Sequence, residues 1–124
     1  MSSSPIVAFL SDFGLSDSYV AEVKGVILSI NSEIEIIDIT HQIEPQNVLQ
    51  ASLMLQRTAE FMPSHTTFLS VVDPGVGSDR KVVAVETTRG VFIAPDNGLL
   101  WLTVNDLDVR NVVAVENYQY FFNE

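Results

Sequence analysis

Three short apolar runs alternate with two segments of helical period, and this order constrains the fold more than any other feature of the chain. Residues 6–10 (IVAFL), 34–39 (IEIIDI) and 67–72 (TFLSVV) are suited to buried strands. Between the first two runs, Val20, Val23, Ile27 and Ile30 recur at helical spacing within residues 19–31, and Ser16, Asp17 or Ser18 can cap the helix start. Between the second and third, Val48, Ala51, Leu55 and Ala59 share one face of a helix over 46–61, with Pro63 just beyond its end. Strand–helix–strand–helix–strand order predicts parallel strands joined by right-handed crossovers.

The second half of the chain changes character. Residues 81–86 and 91–94 read as strands joined by the hairpin turn Thr87-Thr88-Arg89-Gly90. A turn at 95–98, a short helix at 99–104 and a final strand at 111–116 follow. The expected fold is one α/β domain over residues 1–124, with a mixed, mainly parallel sheet and flanking helices in Rossmann-like layers. No repeat, linker or low-complexity tract interrupts it.

Composition excludes several classes. Hydrophobic residues make up 47% and seven are Phe, enough for a packed core rather than a disordered segment. The net charge of −10 argues against a nucleic-acid partner, which needs a basic face. No apolar run approaches the ~20 residues that span a bilayer. The first residues, Met1 to Pro5, have no basic region and make a poor signal peptide. Cysteine is absent, so there is no disulfide, zinc–thiolate site or thiol nucleophile, and a cytoplasmic protein is the expectation.

Asp12, Asp17, His41, Asp73, Asp96 and Asn97 all follow the carboxyl ends of expected strands, the edge where open α/β sheets bind ligands. The loop Asp73-Pro74-Gly75-Val76-Gly77-Ser78-Asp79-Arg80 is the richest of these. A strand stops at an aspartate, and the proline and glycines let backbone approach a ligand closely. Asp73 and Arg80 read either as a charged pair that positions water and substrate or as a brace across the loop. Asp12 and Asp17 read either as a grip on ribose hydroxyls and a cationic group, or as turn-forming and capping acids. Asp12-Phe13-Gly14 matches the kinase magnesium motif in three letters only, without the lysine strand or catalytic loop. His41 could be a base or a metal ligand, but a buried or capping histidine is the commoner occupant of such a position. His65 lies in an exposed turn. Asn97, in Pro95-Asp96-Asn97-Gly98, either belongs to a plain turn or aims into the site.

Four motifs together resemble one family. Ser11-Asp12-Phe13-Gly14-Leu15-Ser16-Asp17, Asp38-Ile39-Thr40-His41, the loop from Val72 to Arg80, and Ala94-Pro95-Asp96-Asn97-Gly98-Leu99-Leu100 are similar, in order and spacing, to the S-adenosylmethionine hydroxide adenosyltransferases. These are the water-using relatives of fluorinase and chlorinase. The resemblance implies hydrolysis of S-adenosylmethionine to adenosine and methionine, by water or hydroxide attacking the ribose 5′ carbon, with no metal or cofactor. It implies catalytic roles for Asp73 and Arg80, ribose binding by Asp12, and a place for Asp17 near the methionine end; Asn97 joins them as a substrate-binding candidate. Halogenating relatives replace the Asp of this loop and lack the Arg, so both together point to water. Members of the family are longer, carry a second, β-rich domain, and build their sites between subunits of a trimer. The family's catalytic His falls beyond Glu124, and neither His41 nor His65 stands at its position. The expectation is therefore an N-terminal domain, truncated relative to the family and weak on its own, that self-associates as a homo-oligomer. The aromatic stretch Tyr118-Gln119-Tyr120-Phe121-Phe122 would be covered by further protein. Two rival readings are a non-catalytic nucleoside-binding or assembly module, and a metal-dependent hydrolase using Asp12, Asp38, His41 and Asp73.

Overall fold

The structure, a computed structural model, describes residues 4–73 and 81–115. Arg80 and the aromatic stretch 118–122 lie outside them. The elements run β1 (Ile6–Ser11), α1 (Tyr19–Ile30), β2 (Glu35–Thr40), α2 (Val48–Ala59), β3 (Thr66–Val71), β4 (Val82–Thr87), β5 (Gly90–Pro95), α3 (Trp101–Val104) and β6 (Val109–Val115). They build a six-stranded sheet of order β2-β1-β3-β5-β4-β6. The pairs β1–β2, β1–β3 and β3–β5 are parallel, while β4 runs antiparallel to β5 and β6. This is the mixed, mainly parallel α/β sheet expected from the element order.

Register explains the core. Ala8 pairs with Phe68, Phe68 with Phe92, and Phe92 with Val85, so one row of apolar side chains crosses four strands on a single face. The Phe68 and Phe92 rings stack at 4.4 Å and 5° between planes. Each buried phenylalanine contributes about 1.5–3 kcal/mol, and the ring pair about 0.5–1.5 kcal/mol more. Ala51, Leu55 and Ala59 of α2, with Leu99 and Leu100, close this face. On the opposite face Val20 of α1 is buried and Val23 and Ile27 are half-buried. Ile30 is 79% exposed, so the apolar stripe read on α1 extends a turn past the surface it covers.

Two residues of the β4–β5 hairpin hold this packing. Arg89 Nη2 lies 2.8, 3.2 and 3.1 Å from the carbonyl oxygens of Ala59, Glu60 and Met62 at the end of α2. Ala59 ends α2, where its carbonyl otherwise receives only Met62 N at 3.4 Å, and a cation suits the negative end of the helix. Gly90 adopts φ 138° opposite Thr66, where an added Cβ would stand 2.1 Å from the Thr66 carbonyl oxygen.

Gly90→Ala is expected to cost about 3 kcal/mol or more, because backbone rather than a yielding side chain blocks the methyl group. Calorimetry should show Tm lowered by more than about 10 °C. Arg89→Ala is expected to cost about 1–2 kcal/mol in denaturant titration, with Arg89→Lys recovering part of it.

Candidate functional site

The parallel strands β2, β1, β3 and β5 end at one edge of the sheet. From β1 the chain crosses outward to β2 and then back past β1 to β3. Right-handed crossovers in opposite directions put α1 and α2 on opposite faces. The loops after β1 and β3 therefore part, which leaves the crevice where α/β sheets bind ligands. Asp12 follows β1, His41 follows β2, Asp73 follows β3, and Asp96 and Asn97 follow β5.

Asp73 is 9% exposed. Beside it, Asn97 Nδ2 donates to the Val72 carbonyl at 2.9 Å, and its Oδ1 accepts from Leu99 N at 3.0 Å. Asn97 thus ties the exit of β5 to that of β3 and fixes the backbone that carries Asp73. Behind these exits an apolar hollow of about 340 Å³ opens between Leu69, Val71, Val82, Ile93, Pro95 and Val115. Its apolar walls suit the flat or aliphatic part of a ligand.

Asp12 is half-buried, and its Oδ2 accepts from Gln46 N at 2.7 Å. Among the described residues its Oδ1 has no partner, so one carboxylate oxygen can receive a ligand's hydroxyl. Gln46 holds φ 65°, a left-handed conformation uncommon outside glycine, and this sits at the amide that meets Asp12. Asp17 is exposed and accepts from Ser18 N at 2.7 Å, a local bond at the start of α1.

The largest feature missed in the sequence is a chain of side chains behind Asp12. His41, 3% exposed, meets Ser11 Oγ through Nδ1 at 2.6 Å and Asp38 Oδ1 through Nε2 at 2.8 Å. Asp38 Oδ2 accepts from Lys24 Nζ at 2.7 Å. A carboxylate only accepts, so in the neutral ring Nε2 donates to Asp38 and Nδ1 accepts the Ser11 hydroxyl. The order Ser–His–Asp is that of a hydrolase triad, but Ser11 is fully buried and its hydroxyl cannot reach a substrate. Asp38 at three residues before His41 was the available sequence signal; nothing local pointed to Ser11, thirty positions away.

Burial alone would push the Asp38 carboxyl up. Hydrogen bonds from Lys24 and His41, aided by the nearby charge, outweigh it and hold Asp38 below the usual carboxylate range. Among the described residues no three His, Asp or Glu side chains gather where they could hold a metal. Of the set Asp12, Asp38, His41 and Asp73, His41 has both ring nitrogens engaged, by Ser11 and Asp38.

The chain matches the family described as SAM hydroxide adenosyltransferase N-terminal domain over residues 7–123. It is 37% identical over 100 residues to an (R)-S-adenosyl-L-methionine hydrolase of Salinispora arenicola, covering 81% of this chain and 38% of that protein. A Thermus thermophilus protein of the same name is 42% identical over 96 residues, 77% of this chain and 37% of its own length. A crystal structure of an uncharacterized conserved protein from Thermotoga maritima superposes with a TM-score of 0.87 at 44% identity, covering 91% of this chain and 44% of that one. The chain spans less than half the length of each.

A carboxyl whose folded pKa is held below its unfolded value stabilises the fold above the unfolded value and loses that contribution as pH falls through the folded one. Asp38→Asn should therefore lower Tm by a constant amount from neutral pH down to about pH 4, and the gap to wild type should close below that. The pair with Lys24 is partly exposed, so the gap should correspond to no more than about 1 kcal/mol. A gap that persists undiminished at lower pH would show that packing, not charge, holds Asp38.

Proposed function

This chain belongs to the SAM hydroxide adenosyltransferase family through its N-terminal domain, and on that premise we propose that the protein carrying it hydrolyses S-adenosylmethionine to adenosine and methionine. The observation that carries the reading is that Asp12 and Asp73 follow the neighbouring parallel strands β1 and β3 at the switch point of the sheet, where motif and ligand edge coincide.

In this reading water attacks the ribose C5′ atom in line with the C5′–sulfonium bond. The new O–C5′ bond forms as the S–C5′ bond breaks, its electron pair stays on sulfur, and a proton is released. Methionine leaves as a neutral thioether, a good leaving group, so the protein's main task is to hold nucleophile and carbon in register. Asp73 and Arg80 position the water. Asp12 accepts the ribose hydroxyls through Oδ1, and Asp17 serves the methionine end. Asn97 acts at the rim and as the brace already described. The substrate's sulfonium charge suits an acidic edge. Exposed Val112 and Val113 on the edge strand β6, with Trp101 nearby in sequence, support a protein that self-associates. No helix among the described residues is long and apolar enough to cross a membrane.

The test is chromatographic detection of adenosine from S-adenosylmethionine, using the chain alone and then with a separately supplied C-terminal half from a relative. Turnover is expected with the second half present, falling by about a hundredfold or more in Asp73→Ala. Arg80→Ala should lower kcat more than it raises KM, since positioning of the nucleophile acts on the transition state. Binding without adenosine release under both conditions would favour a nucleoside-binding module instead. A rate unchanged in Asp73→Ala would remove that residue from the mechanism.

A further inference from the structure

We propose that His41 is a positioning residue, which fixes the carboxylate of Asp12 for the ribose by locking the loop after β1 to the loop after β2. The proposal rests on the ribose role given to Asp12 above. It starts from where the hydrogen bonds of residues 12–14 go. Phe13 N donates to Ser11 Oγ at 3.3 Å, and that hydroxyl is held by His41 Nδ1 at 2.6 Å. Gly14 N donates to the His41 carbonyl at 2.7 Å. Asp12 Oδ2 accepts from Gln46 N, five residues beyond His41 in the same loop. Outside the sheet, the described hydrogen bonds of these three residues thus end on His41, on the serine that His41 holds, or on the loop that His41 begins.

The imidazole is itself fixed from the remaining sides. Asp38 holds Nε2, Lys24 holds Asp38, and the Phe9 ring meets the imidazole edge-on at 4.6 Å and 70°. Ser11 and His41 are buried, so the ring cannot swing into solvent and the link is not diluted by water. A carboxylate that must accept two ribose hydroxyls tolerates little rotation. Asp12 has one oxygen committed to Gln46, so the direction of the other follows the spacing of the two loops. That spacing is what the imidazole sets.

The experiment compares adenosine with 2′,3′-dideoxyadenosine by calorimetric titration of the full chain. His41→Gln, which keeps an amide near the Nε2 position but cannot also reach Ser11, should weaken adenosine roughly tenfold or more while leaving the dideoxy analogue within about twofold. Ser11→Ala, which keeps the imidazole and its Asp38 contact, should move the same ratio in the same direction by less. Adding His41→Gln to Asp12→Ala should weaken adenosine no further than Asp12→Ala alone, because both act through one carboxylate. Equal weakening of both nucleosides, or additive losses, would overturn the proposal in favour of a general stabilising role. Amide exchange gives a readout without ligand: protection at Gly14 and Gln46 should fall about tenfold in His41→Gln, with β3 and α2 unchanged. Should the wild-type chain bind the two nucleosides alike, the ribose role of Asp12 fails. Exchange then decides the positioning role by itself, and unchanged protection at Gly14 and Gln46 rejects it.

Discussion

Two parallel strands cannot be joined by a tight turn; the chain must leave one end of the first and return to the opposite end of the second. In this protein that requirement operates twice in succession, from β1 to β2 and from β2 to β3. Each return brings a strand into the sheet pointing the same way, so each strand delivers its following loop to the same edge. Asp12, His41 and Asp73 lie at one edge of the sheet for this reason, although they are spread over half the chain. The row Ala8–Phe68–Phe92 is the apolar counterpart of the same geometry, since parallel register stacks alternate side chains of adjacent strands on one face, and the antiparallel partner Val85 extends it.

Several polar side chains at that edge have a structural task. Asn97 holds the β3 and β5 exits together, Asp12 receives a backbone amide of the next loop, and His41 bridges both loops from below. Loops depart from regular ladders, and their backbone groups need partners that the sheet no longer supplies. Side chains near the strand ends supply them. The links differ in strength. The buried Ser11–His41 contact is shielded from water, whereas the Lys24–Asp38 pair is partly exposed and screened. The inner part of the relay therefore contributes more to rigidity than its charged outer end.

Sequence periodicity located the elements closely. The helix expected over 46–61 is Val48–Ala59, shortened because Asn47 caps it, accepting from Gln50 N, and Gln46 turns left-handed. The strand expected over 34–39 is shifted by one to Glu35–Thr40. Ile30, the last apolar residue at helical spacing in α1, is exposed, because period gives a face but not how far the neighbouring sheet extends beneath it. For the site, the strand-end rule singled out Asp12, His41, Asp73 and Asn97. It could not show that Asn97 points its amide at Val72, that Asp17 bonds within its own turn, or that His41 lies with both nitrogens occupied.

The residues alone determined what depends on near neighbours: which segments are strands or helices, their order, the parallel core, and the edge at which loops gather. Spacing within a few positions settles those properties, and the four family motifs lie within such short stretches. Tertiary structure alone decided the pairings across distance. Ser11 meets His41 thirty positions on, and Arg89 reaches the carbonyl of Ala59 from the same separation. Gly90 is forced by the Thr66 carbonyl of another strand. These contacts depend on register and crossover hand, which put specific atoms within hydrogen-bonding distance, and no local pattern in the chain encodes them.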